Sequence, residues 1–291
     1  MKRIIVIAVL ATIIGVSSAL AAPITISGTG ANAAAITAFR DQFRTLLGGG
    51  NVAGANGLFS DITGARREIN WDGVPQQFSA PNNLPLNFFN VNSPRGAVFA
   101  TPGTGVQVSG ATTDAGAGQP VLQFANIDAT YPGVFEPFSA QRLFTAIGSN
   151  IVDVTFFVPG TGTPALTRGF GSIFSDVDKA NTTSIEFFNA ANASLGIFFV
   201  PQLIGSETFS FLGRAFDSPV VSRVRIVNGN IALGAGVTDQ NGDLRDVVVM
   251  DDFLYAEPVA APEPATLALT GLGLLAVVRY RRGRSRANEQ L

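Results

Sequence analysis

From residue 84 to residue 258 the chain never stays apolar for long. Short β-branched or aromatic runs alternate with clusters of Gly, Pro, Asn and Asp. That rhythm suits strands and leaves too little periodic sequence for helices. The candidate strands are 88–91, 98–100, 106–109, 121–124, 151–158, 170–175, 184–189, 195–200, 208–214, 222–227 and 246–255. Successive strand side chains point to opposite sides. Val152, Val154, Phe156 and Val158 therefore share one face, with Asp153 and Thr155 opposite, and Leu195, Ile197 and Phe199 share another. Residues 189–193 read as a hairpin loop. Many short strands over about 170 residues predict an all-β fold, an antiparallel two-sheet sandwich of jelly-roll-like form.

One helix precedes it. Ile36, Phe39, Phe43, Leu46 and Leu47 recur at helical spacing within 31–47, Arg40, Asp41 and Arg44 take the other face, and Gly48 to Gly50 end the run. Residues 22–83 thus read as a short N-terminal helix and an irregular segment packed on the 84–258 domain.

Both termini lie outside this fold. Met1-Lys2-Arg3 is basic, the following stretch to Val16 is apolar, and Ala19-Leu20-Ala21 ends in small residues. This is the pattern of a signal peptide, 1–21, cut after Ala21 by signal peptidase, with an uncleaved anchor as the alternative. At the other end, Pro262-Glu263-Pro264 closes a linker over 259–264. An apolar run over 265–280 follows, then a basic tail over 281–291; the cluster is Arg279, Arg281, Arg282, Arg284 and Arg286. The run has 16 residues, short of the roughly 20 that cross a bilayer upright. Tyr280 at the headgroups and snorkelling arginines make a thin span workable. The arginines then stay cytoplasmic and the body lies across the inner membrane.

The order Pro-Glu-Pro, hydrophobic stretch, terminal arginines resembles a PEP-CTERM sorting signal over about 261–286. That resemblance implies a Gram-negative exporter that makes extracellular polysaccharide, and an integral-membrane exosortase as the enzyme that removes the tail. It implies transient anchoring by the C-terminal helix, then release to the cell surface or beyond. Two prolines hold the tripeptide extended and remove two N–H donors, which suits a protease-like groove. Body segments also resemble a recurring group of PEP-CTERM exported proteins of unknown activity. These are Arg67-Glu68-Ile69-Asn70-Trp71-Asp72-Gly73, Phe88-Phe89-Asn90-Val91-Asn92-Ser93-Pro94-Arg95-Gly96, Phe174-Ser175-Asp176-Val177-Asp178 and Met250-Asp251-Asp252-Phe253.

Composition narrows the chemistry. Of 19 basic residues two lie in the leader and five beyond Pro264, as does one of the 21 acidic ones; the exported part keeps 12 and 20, a net charge of −8. An acidic body disfavours nucleic acid and anionic lipid. Cysteine is absent, so no disulfide staples this exported fold, and its stability must come from an apolar core that 23 Phe can fill. Histidine is absent too. Ser-His-Asp and Cys-His catalysis and thiolate or imidazole metal sites are therefore excluded, which leaves oxygen coordination of the calcium or magnesium kind.

Two carboxylate pairs are the calcium candidates. Asp176 and Asp178 would share one side of an extended strand. Asp251 and Asp252 would point to opposite faces of the last strand, one lined by Val247, Val249, Phe253 and Tyr255, the other by Val248, Met250 and Leu254. The second pair is similar to the Asp-Asp pair near a structural calcium in many jelly-roll carbohydrate-binding modules. Carboxylates satisfied by backbone N–H groups are the plainer alternative. Trp71, the sole tryptophan, reads first as a core plug over a turn and second as a sugar-stacking platform, a role that Tyr131 and Tyr255 would also suit. The expectation is a non-enzymatic structural or adhesive surface protein with extracellular polysaccharide as partner. The alternative is a glycoside hydrolase or lyase, since paired carboxylates alone suffice for glycosidase chemistry.

Overall fold

The computed structural model describes residues 22–48, 66–114, 120–238 and 244–262, and Gly273 alone. The leader, Glu263, Pro264, the apolar run apart from Gly273, and the arginine cluster lie outside the described residues. Among the described residues no helix is long and apolar enough to cross a membrane.

The chain opens with β1 (Ile24–Gly30), α1 (Ala33–Gly48), β2 (Arg66–Ile69), a single helical turn α2 (Phe88–Val91), β3 (Ala97–Ala100) and β4 (Gly105–Val108). It continues with β5 (Phe144–Ile147), β6 (Ile151–Phe156), β7 (Ala165–Leu166), β8 (Gly169–Ser175), β9 (Ser184–Phe188) and β10 (Ser194–Phe199). Last come β11 (Phe209–Ala215), β12 (Arg223–Val227), β13 (Val249–Ala256) and β14 (Val259–Ala260). Sheet 1 runs β1-β11-β8-β13-β5-β4, with β2 also on β13; sheet 2 runs β10-β9-β12-β6-β3; β7 and β14 form a small ribbon.

All pairings are antiparallel. Eight strands follow the jelly-roll path. The chain visits β5, β8, β11 and β13 in sheet 1 and β6, β9, β10 and β12 in sheet 2, and they lie β5-β13-β8-β11 over β6-β12-β9-β10. Val152, Val154 and Phe156 turn into the space between the sheets with Phe99, Phe170, Phe174, Phe187, Ile185, Phe253 and Tyr255.

Helix α1 covers the outer face of sheet 1. Ile36, Phe43 and Leu47 face Ile26, Ile173, Phe209, Phe211 and Leu254. Gly171 and Gly213 pair across β8 and β11, and a Cβ on either would stand 2.8 or 2.7 Å from the Phe43 ring. These two glycines form the slot that seats the helix, because any side chain there would lift it off the sheet.

The structure departs from the sequence pattern in several places. Residues 88–91 form a helical turn, closed by the bond from Asn92 N–H to the Phe88 carbonyl. Residues 121–124 lead into a 3₁₀ turn. Aromatic content suggested strands there, but propensity on so short a run yields to the turns that precede it. Strands β1, β5 and β7 were not foreseen, nor was β14 inside the expected linker, and β1 and β2 make the N-terminal segment part of sheet 1. In β10 a bulge at Ser194–Gly196 breaks the expected shared face. Leu195 packs against the core, while Ile197 and Phe199 stay exposed.

Candidate functional site

Strand β13 holds the densest carboxylate chemistry. Met250 pairs with Phe174 and Phe253 with Ser172, so Asp251 and Asp252 together oppose one residue of β8. Such a bulge inserts a residue and re-aims the side chains around it. Val248, Met250, Phe253 and Tyr255 consequently face the core between the sheets, whereas Val249 and Leu254 face outward. The expected opposition of Asp251 and Asp252 is overturned, since the bulge resets the two-residue alternation and brings their carboxyl groups together on the α1 side. The same bulge is where the neighbour of β13 changes from β5, at Met250, to β2, at Phe253.

Asp251 is 0% exposed and Asp252 3%. Asp251 accepts from the backbone N–H groups of Phe138 (2.6 Å) and Ser139 (3.2 Å) and from the Ser139 hydroxyl (3.1 Å). Burial first, then the Asp252 charge, push the Asp251 pKa well up, and burial raises Asp252 as well. The two neighbouring carboxyl groups thus favour the protonated form in each other's presence. Asp72 completes the group; burial and the Asp252 charge raise its pKa to about 6. The charges around the group are Arg40 on α1, Glu68 on β2 and Arg142.

Asp72 was missed as a site residue because its place depends on Trp71. Trp71 has φ +68°, in the left-handed region that a bulky side chain seldom adopts. The turn it makes, closed by Val74 N–H to the Trp71 carbonyl at 2.9 Å, sends Trp71 inward. Its ring stacks on Phe144 at 4.1 Å and meets Phe253 and Phe89 edge-on at 5.0 and 5.5 Å. Only 1% of Trp71 is exposed, so a sugar cannot stack on it. Tyr131 and Tyr255 are equally buried.

The other carboxylate pair sits at the end of β8. Asp176 is fully buried and has φ +72°, which ends the extended run and breaks the expected same-side spacing with Asp178. Asp178 accepts from Gly205 N–H at 2.7 Å, and its own N–H donates to Asp246 at 3.0 Å. Asp246 also accepts from the Thr182 hydroxyl. These contacts tie three loops together. Among the described residues no group of three or more acidic side chains is arranged to hold a metal ion.

An accessible cleft lies elsewhere. A cleft of about 400 Å³ opens beside β1 and β10, lined by Ala22, Pro23, Leu195, Phe216 and Val220 with Asn189, Asp217 and Ser218. It has one carboxylate, Asp217.

The PEP-CTERM protein-sorting motif matches residues 260–282, so the chain carries that motif at its C-terminus. No curated protein matches. Among solved structures the chain is similar to an arabinoxylan arabinofuranohydrolase of glycoside hydrolase family 43 from Bacillus subtilis, in complex with cellotetraose. The two are 15% identical with a TM-score of 0.27, over 56% of this chain and 27% of that one. A likeness of that extent says nothing about chemistry here.

Proposed function

With a sorting motif at residues 260–282 as the premise, we propose that this is an exported protein cut from its tail by an exosortase-type membrane enzyme. Its jelly roll then serves at the cell surface or in the extracellular polysaccharide as a non-catalytic structural or adhesive module that contacts glycan. The observation that carries the non-catalytic part is the burial of the Asp251–Asp252 pair. Asp251 and Asp252 are buried beneath α1 and the Phe138–Ser139 turn, and the accessible cleft has a single carboxylate. Glycosidases place two carboxyl groups about 5–9.5 Å apart across the bound sugar. Among the described residues, a buried Asp251–Asp252 pair and a cleft with one carboxylate weigh against the glycosidase or lyase reading.

Sorting is tested by mass spectrometry of the protein released from the producing cell. Peptides should end near Pro264, and recovery of peptides beyond Arg279 in the released form would contradict tail removal. The glycan part is tested on an oligosaccharide array with and without chelator. No binding, together with no chelator-dependent melting shift, sinks the lectin-like reading and its calcium support.

A further inference from the structure

We propose that the cleft beside β1 and β10 is the saccharide site, and that its ligand is a neutral sugar unit of about one or two rings. This rests on the glycan reading above and gives it a place and a ligand class. The cleft volume of about 400 Å³ falls in the ~300–1,000 Å³ range of small-ligand sites. One side is apolar, built from Pro23, Leu195, Phe216 and Val220; Asn189, Asp217 and Ser218 supply the polar side. A sugar ring has the same two characters, a C–H face and a rim of hydroxyls.

Phe216 is a fixed platform. Its N–H donates to the Arg168 carbonyl at 2.6 Å, and its ring meets Phe187 edge-on at 5.7 Å. Arg214 lies over Phe216 at 5.5 Å and over Phe198 at 3.9 Å. A ring held on its inner side costs little further ordering when a ligand stacks on the outer one. The Asn189 Oδ1 accepts from Ala191 and Ala193 N–H at 2.9 and 3.0 Å. Its amide is thereby oriented, with Nδ2 left as the donor for a hydroxyl. The Asp217 carboxylate accepts, and the Ser218 hydroxyl does either.

Charge selects the class. No lysine or arginine is among the lining residues, and the Asp217 carboxylate is balanced by the α-ammonium that the expected leader cut leaves on Ala22, so the lining has no excess of cations to hold an anion. A phosphorylated, sulfated or uronic sugar is therefore disfavoured. Ala22 is the first residue after the expected leader cut, so the wall it makes with Pro23 belongs to the mature N-terminus.

The test uses the mature chain beginning at Ala22, probed by titration calorimetry with cellotetraose, maltotetraose and galactobiose after the array has ranked them. Phe216→Ala should weaken binding about tenfold or more. Ser218→Trp fills the cleft from an exposed position; it should abolish binding with Tm unchanged to within about 2 °C. If Phe216→Ala unfolds, Ser218→Trp decides alone. Undiminished binding by Ser218→Trp would overturn the cleft while leaving the glycan reading intact. Tighter binding of glucuronate oligomers than of neutral ones would overturn the ligand class. No binding of any neutral glycan by the parent chain would remove both proposals together.

Discussion

Two acidic sites lie six residues apart along the chain's last long strand, Asp251 near the start of β13 and Glu257 just past its end, and they handle buried charge in opposite ways. Glu257 meets Arg67 in a bidentate pair at 2.5 and 2.8 Å, with side chains 1% and 0% exposed. Among the described residues no arginine is bonded to Asp251 or Asp252. Burial pushes both toward the protonated form, and Asp251 takes two backbone N–H groups and a hydroxyl. In the first site two full charges cancel, and breaking either half strands the other in low dielectric. In the second the charge is partly avoided by protonation, as burial demands when no cation is in contact. The pair locks β2 to the end of β13, whereas the carboxyl group fastens the Phe138–Ser139 turn onto the bulge.

Substitutions separate the two solutions. The largest effect belongs to Arg67→Ala, which leaves Glu257 charged and buried; urea unfolding should show a loss of about 3–5 kcal/mol. Replacing both partners, Arg67→Met with Glu257→Gln, should cost less than either single truncation. A double variant as damaged as the worse single one would mean that packing, not charge, dominates there. Next comes Asp251→Ala, which strands the Phe138 and Ser139 donors, at about 1–3 kcal/mol. Asp251→Asn keeps an acceptor and should cost clearly less at pH 7. Equal loss in both variants would refute the role given to those N–H groups.

A smaller effect follows pH. The folded-state pKa of Asp72, about 6, lies above its usual 3.8. Between those values the folded chain holds more protons than the unfolded one. Its contribution is therefore full below about pH 4 and declines as pH rises through 6. After screening for its half-exposed position this amounts to roughly 1 kcal/mol. Urea midpoints from pH 4 to 7.5 should fall less steeply in Asp72→Asn than in the parent. An unchanged slope would place the proton elsewhere in the group. The smallest effect is that of the partly exposed pair Arg225–Asp153, 2.8 Å apart. Arg225→Ala should cost about 0–1 kcal/mol and become indistinguishable from the parent at high salt.

Legibility in the sequence followed locality. The helix over 31–47 appears as α1 because its apolar spacing and the glycine stop act within a few turns. The alternation in β6 holds because that strand is regular. Reading β13 the same way failed at one residue. A bulge is a property of the pairing with β8, and nothing in Val-Met-Asp-Asp-Phe marks which residue is extra. Trp71 illustrates the same limit from the other side. Its turn was visible as Asp72-Gly73, but its left-handed backbone and the stack on Phe144 depend on a strand more than seventy residues away. The cleft was invisible because it gathers Ala22 with Asn189, Leu195 and Phe216 from three distant segments.

By itself the sequence determined what depends on residue type and short-range order. It excluded cysteine and histidine chemistry, gave an acidic exported body, and carried the sorting motif and a β rhythm that only a layered sandwich can bury. Tertiary structure alone decided which carboxyl groups meet, which aromatic rings are sealed and where a cleft remains. Those outcomes depend on strand register and on the order in which the two sheets exchange strands. Both are set by the packing of the whole core, since a single residue of slip turns every later side chain to the opposite face.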